Sequence, residues 1–200
     1  MKIAVIGAGN VGGGLGAGLA QAGHEIVYGV RDPESAKTRS ALDETPHATA
    51  SQPGLAAADA DVVLFALRWD AVPETVASLP DLDGRVVIDA MNRFSGDPAR
   101  STAQDLSDLL PGARVVKAFN TIGFENFATA RARQQKTVMF IAGDHPEANA
   151  VAAELAGDLG FQAEDVGPLT NAKPLEEMVK IWLALAARHG RRIGWALSEE

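Results

Sequence analysis

Lys2-Ile3-Ala4-Val5-Ile6-Gly7-Ala8-Gly9-Asn10-Val11-Gly12 follows Met1, and its reading decides the fold. Residues 2–6 form a short apolar run that reads as a buried strand, and the glycines begin at once. Each glycine has a task in a dinucleotide site. Gly7 permits the tight turn out of the strand, Gly9 lets backbone approach a pyrophosphate, and Gly12 lets a helix pack close to the sheet. That helix begins around Asn10 and Val11, and its free N–H groups and positive dipole end face the phosphates.

Glu25-Ile26-Val27-Tyr28-Gly29-Val30 reads as the second strand and ends at Arg31, 19 positions beyond Gly12. NAD-selective sites usually carry an acidic residue about 20 positions beyond the glycines, where it bonds the ribose 2′-hydroxyl. Here the neighbourhood offers Val30 and Arg31, and Asp32 is displaced into the following turn. A carboxylate repels a 2′-phosphate, whereas a guanidinium holds it with two parallel hydrogen bonds. NADP is therefore the expected cofactor. The alternative is that Arg31 only ends the strand and Asp32 turns back to the ribose.

Working outward, apolar runs alternate with helical patterns almost to the end of the chain. Strands are expected at 47–50, 61–66, 85–89, 114–118, 137–142 and 161–166. Helices are expected at 33–42, from 53, at 70–78, 104–110 and 146–160, and from about 174 to 197. In the helix at 33–42, Asp32 serves as cap and Pro33 as first residue. This alternation predicts an α/β fold of the Rossmann type: a doubly wound, mainly parallel sheet with a short C-terminal helical extension. No linker or repeat interrupts it, so residues 1–200 read as one domain.

The 200 residues carry a formal net charge of −8, which argues against nucleic acid or an anionic membrane as partner. There is no cysteine, hence no disulfide framework or thiol nucleophile, in keeping with a reducing cytoplasm. Seven glycines between Gly7 and Gly18 make a poor signal-peptide core, and the apolar run at 181–187 is too short for a bilayer. A small molecule is the expected substrate. The last helix is apolar on more than one side, with Ile181 and Leu183 outside its main stripe, and Gly190 and Gly194 would admit a second backbone. A homodimer is expected.

In doubly wound sheets the ligand lies outside the carboxyl ends of the strands. Besides the glycine turn, this selects Ala66 and Leu67 (with Arg68 and Trp69 beyond them), Asn92 in the loop from Asp89 to Phe94, and Asn120 and Thr121. Asn120 and Thr121 could orient a carboxamide or a planar heterocycle; the alternative is that Asn120 satisfies loop backbone. Trp69 and Phe94 could stack on flat rings, or could be core. The four histidines lie in turns, before a weak strand, or within the last helix, so no residue is assigned an acid–base role. Lys173 starts the last helix, where hydroxyacid dehydrogenases place a general acid, but their large helical domain does not follow.

Several blocks together resemble a known family, the NADPH-dependent reductases of the deazaflavin coenzyme F-420, with the related oxidoreductase domain of the Steap ferric reductases. They are the glycine unit, Gly29-Val30-Arg31-Asp32-Pro33-Glu34, Lys117-Ala118-Phe119-Asn120-Thr121, Ile141-Ala142-Gly143-Asp144, Asp165-Val166-Gly167-Pro168-Leu169 and Asn171-Ala172-Lys173-Pro174-Leu175-Glu176. The resemblance implies a Rossmann domain whose part from about 167 to 200 completes a pocket over the nicotinamide. It also implies direct hydride transfer between NADPH and F-420 or a flavin such as FMN or FAD, a reaction that needs positioning more than an acid or base. A reductase of a small imine or carbonyl, or a non-catalytic NADPH-binding redox sensor, is the alternative. The family often has serine or threonine before the arginine and another basic residue four positions after it. Here these are Val30 and Ser35, with Lys37 or Arg39 as substitutes.

Overall fold

In a computed structural model that describes residues 1–94 and 99–198, the opening run forms strand β1 (Lys2–Ile6), and helix α1 (Asn10–Gln21) leaves the glycine turn. The chain continues through β2 (Glu25–Gly29), α2 (Ala36–Glu44), β3 (Thr49–Ser51), α3 (Pro53–Ala58) and β4 (Val62–Phe65). A 3-10 turn at Trp69–Ala71 leads into α4 (Val72–Val76), then β5 (Val86–Asp89), α5 (Thr102–Leu109) and β6 (Arg114–Lys117). The remaining elements are β7 (Val138–Gly143), α6 (Pro146–Asp158), β8 (Gln162–Asp165) and α7 (Ala172–His189).

The eight strands form one sheet in the order β3-β2-β1-β4-β5-β6-β7-β8. Pairing is parallel throughout except between β6 and β7, which meet antiparallel only at Val116↔Gly143 and Lys117↔Ala142. The chain order reverses beside β1, so the glycine turn opens at the switch point where such sheets bind ligands. Alternate residues of β1 point to opposite faces: Ile3 and Val5 join one apolar cluster with α1 and α6, and Ala4 and Ile6 join another with α3 and α5.

α7 is the element that breaks the layer pattern. Its Ala172 belongs to one cluster, and its Trp182 and Ala186 belong to the other, so it passes from one face of the sheet to the other. On the way Glu176 reaches the carboxyl ends of β5 and β6. There the fully buried Lys117 ammonium lies 3.0 Å from Asp89 Oδ2 and 2.8 Å from Glu176 Oε1. Burial raises the Asp89 carboxyl above the ordinary carboxylate range, against the opposing pull of Lys117 and Thr102.

Three departures from the sequence reading exceed a shift of a residue or two at an element end. α7 ends at His189 and does not run on to 197, because Gly190 at φ 82° turns the chain back. Gly194 then lies outside the helix against Thr137, so the reading of Gly190 and Gly194 as a helical contact face is overturned. The residues beyond are held by Trp182 Nε1–H to Ile193 O (3.1 Å), Trp195 Nε1–H to Thr121 O (3.0 Å) and Val138 N–H to Trp195 O (2.8 Å). α2 begins at Ala36 with Ser35 as its cap, not at Pro33 with Asp32, because the Asp32 carboxylate closes a turn by accepting from Glu34 N–H. The expected helix at 70–78 is a 3-10 turn followed by the five-residue α4.

Candidate functional site

Gly7 leaves β1 at φ 107°, and a Cβ there would lie 2.7 Å from the Ala66 carbonyl oxygen. A Cβ on Gly12 would lie 1.9 Å from the Gly7 carbonyl oxygen, so the start of α1 fits the turn only as glycine. Gly9 is the cap of α1, and above it the one near neighbour is the Lys37 ammonium, 3.3 Å from the position of an added Cβ. The first-turn amides of α1 therefore face an open groove of about 890 Å³. Gly7, Gly9, Asn10 and Val11 line it at the helix end, together with Val30 and Arg31 after β2 and Ala66 and Leu67 after β4. These are the residues expected there. Gly12 does not line the groove and supports the turn against Gly7.

The groove mouth is charged, and most of its cations already have partners. The Arg31 guanidinium lies 3.2 Å from Glu74 of α4, which ties the end of β2 to the helix after β4; both side chains are exposed. Arg68 pairs with Asp70 at 3.1 Å. Lys37, which also lines the groove, makes no ion pair among the described residues, whereas Arg39 does not line it. Asp32 lines the groove too, but its carboxylate is engaged by Glu34 N–H.

A second groove of about 630 Å³ continues from the first and shares Val11, Ala66, Leu67 and Arg68 with it. One wall carries Trp69, Asn92, Arg93 and Phe94; another carries Phe124 with Trp182 and Leu183 of α7. The Arg93 guanidinium sits 4.4 Å from the centre of the Trp69 ring, and Arg191 sits 5.0 Å from that of Trp182 and 5.9 Å from that of Phe124. Phe94, at 67 % exposure, is an open edge of the groove and no part of a core.

Arg93 is only 7 % exposed and is held by Asp105 at 2.5 Å. Partial burial disfavours the charged carboxylate, but hydrogen bonds from Arg100 and Arg93 win, and the Asp105 carboxyl is held below its ordinary value. Arg93 falls in the loop from Asp89 to Phe94 that the sequence selects, whereas Phe124, Trp182 and Arg191 are not legible there as site residues. Their signal is spatial, since they meet only once α7 crosses the sheet end and the chain turns back at Gly190.

Asn120 and Thr121 do not line either groove. They are 2 % and 0 % exposed, because Phe119 adopts φ 62° at the end of β6 and turns the chain inward. The Asn120 amide donates to Asn92 Oδ1 (3.0 Å) and to the Leu175 carbonyl (3.1 Å), and Asn92 donates back to the Asn120 carbonyl (2.9 Å). Of the two readings of Asn120, this geometry shows the supporting one: its amide holds Asn92, which does line the groove. His24 pairs with Asp158 at 2.9 Å, and Lys173 pairs with Glu177 at 2.7 Å, its ammonium away from the residues lining either groove.

Residues 2–93 match a protein-family model described as NADP oxidoreductase, coenzyme F420-dependent. The F420-dependent NADP reductase of Methanothermobacter thermautotrophicus is 33 % identical over 94 % of this chain and 90 % of its own length. The chain belongs to the F420-dependent NADP oxidoreductase family. The metalloreductase STEAP3 of Rattus norvegicus is 27 % identical over 88 % of this chain but only 36 % of its own length. A crystal structure of an F420-dependent NADP-reductase candidate from Arthrobacter sp. FB24 superposes with a TM-score of 0.88, at 28 % identity, over 100 % of both chains. The family model stops at Arg93, so the α7 wall of the second groove lies outside it.

Asp105→Asn removes the negative charge and one of the two acceptor oxygens used by Arg93 and Arg100, and is expected to cost about 1.5–3 kcal/mol of stability at neutral pH. The folded-state pKa of Asp105 lies below its unfolded value, so its contribution is present above the unfolded value, near 3.8, and is lost as pH falls through the folded value. Denaturant unfolding of both proteins should therefore differ at pH 7 and converge progressively below pH 3.8. A constant gap across that range contradicts the assignment.

Proposed function

We propose that this protein transfers hydride between NADPH and coenzyme F-420. The observation that carries the reading is the junction of two grooves at Val11, Ala66 and Leu67, one equipped for phosphates and the other walled by aromatic rings. The glycine turn, the free amides of α1 and the cations Arg31 and Lys37 suit the pyrophosphate and the 2′-phosphate of NADP. NADPH supplies the hydride from C4 of its nicotinamide, and a deazaflavin ring accepts it. The task of this chain is then to hold two flat rings together and keep water out. Trp69, Phe94, Phe124 and Trp182 supply flat apolar surface for that purpose. Guanidiniums lying against indoles stiffen the walls without placing a base beside the reacting carbons.

Residues 1–200 act in this reading as one dinucleotide-binding domain whose part from about 167 completes the acceptor groove. No helix among the described residues is long and apolar enough to cross a membrane, and the use of NADPH favours the cytoplasm as its location. α7 exposes Ile181, at 57 %, and we assign this side of the helix to contact with a second copy of the chain, whereas Leu183, at 39 %, lies on the groove wall.

Three outcomes are expected. NADPH should bind more tightly than NADH in calorimetric titration, and Arg31→Ala should weaken NADPH by about 10- to 100-fold while leaving NADH nearly unchanged. Glu74→Gln should strengthen NADPH by about two- to fivefold, since the 2′-phosphate no longer competes with a carboxylate for Arg31. Equal affinities of the wild type for the two cofactors would remove the NADP assignment.

In stopped-flow mixing with F-420, FMN and FAD in turn, F-420 should bleach as NADPH is oxidised. Deuterium from one face of NADPH C4 should then appear on the deazaflavin carbon. Turnover of flavin alone would redirect the acceptor, and binding of NADPH without oxidation by any of the three would favour a sensor or an imine reductase. Light scattering should give about twice the monomer mass, and Ile181→Glu should return a monomer. A wild type that is already monomeric defeats the dimer.

A further inference from the structure

The acceptor groove is held open by residues that do not line it. Lys117 Nζ lies within hydrogen-bond distance of Asp89 Oδ2 (3.0 Å), the Met91 carbonyl (2.6 Å), Thr102 Oγ1 (2.9 Å) and Glu176 Oε1 (2.8 Å). Asp89 Oδ1 accepts from Met91 N–H at 2.8 Å, so both backbone polar groups of Met91 are fixed by this cluster. The next three residues, Asn92, Arg93 and Phe94, are one wall of the groove. Glu176 also accepts from the Thr102 amide at the start of α5 (2.7 Å), and the residues three, six and seven positions beyond it, Val179, Trp182 and Leu183, belong to the facing wall. A second tie runs beside the first, since the Asn120 amide joins Asn92 to the Leu175 carbonyl. Both ties originate at the end of β6, from residues that are at most 2 % exposed.

We infer that Lys117 and Glu176, with Asn120 in parallel, are positioning residues that set the separation of the two acceptor-groove walls, and thereby the stacking of the acceptor on the nicotinamide. The inference rests on the reading of the second groove as the acceptor site. An ammonium between two buried carboxylates suits this task better than apolar packing would. It has charged partners on two elements, Asp89 of β5 and Glu176 of α7, and a hydroxyl partner on α5, and any widening leaves a charge buried without its partner. The groove for the cofactor phosphates is formed around β1, β2 and β4 and shares none of these residues.

The test uses the full chain as Glu176→Gln, which keeps the shape of the side chain and removes the charge. NADPH affinity by calorimetry should stay within about twofold. The KM for F-420 should rise about tenfold, and the single-turnover hydride rate should fall by about 10- to 100-fold, as expected for misplaced reactants. Asn120→Ser cuts the second tie without disturbing the buried charges and should give the same split with a smaller size. It carries the test if Glu176→Gln does not fold.

The inference is overturned if the folded variants keep wild-type acceptor KM and hydride rate. It is overturned equally if NADPH affinity and acceptor parameters decline together, which is the signature of general loosening. Failure of the wild type to reduce F-420 is a different result: it removes the functional reading, and this inference with it.

Discussion

A single ammonium group, that of Lys117, is buried between two carboxylates where four elements meet, and both walls of the second groove are joined to it. Placing a charge in a protein interior costs several kcal/mol unless partners surround it, and removal of one partner of such a pair typically costs about 3–5 kcal/mol. Lys117, at the end of β6, holds β5, α5 and α7 in register because each of these contributes an oxygen or an amide to the same cluster. The apolar packing of α7 fixes the helix only in a general way. The charge cluster fixes where along its length the helix crosses the end of the sheet.

The two grooves solve different physical problems side by side. At the phosphate end, a chain with a formal net charge of −8 must hold an anion. In the proposed reading it does so locally, with oriented amides at the start of α1 and a few cations, two of them already neutralised by carboxylates at the mouth. Such exposed pairs are weak, so a phosphate can take an arginine from its carboxylate at little cost. At the acceptor end the need is for flat surface and exclusion of water, and the arginines there lie against indole and phenyl rings. A reaction that moves hydride directly between two rings makes few other demands on side chains.

The comparisons divide along the same line. The family model ends at Arg93 and so covers the turn and cations of the first groove, while the α7 wall of the second lies beyond it. The Methanothermobacter reductase and the Arthrobacter structure extend the likeness over nearly the whole chain or all of it, including α7.

What the sequence determined by itself was the part governed by local sterics and short spacing. A strand ending in three spaced glycines can make few turns other than this one, and the arginine at the end of the next strand is brought beside it by the parallel pairing of β1 with β2. What only the tertiary structure decided depends on partners far apart in the chain. Lys117 lies within the strand read at 114–118 and is assigned no task there, until Glu176, 59 residues later, folds over it. Asn120 reads equally as a ligand contact or a loop support until Phe119 turns it inward onto Asn92, and α7 reads as longer than it is until Gly190 reverses the chain. Periodicity and turn chemistry act over a few residues, whereas the partner of a buried charge and the wall opposite an aromatic ring are chosen by the crossing of distant elements.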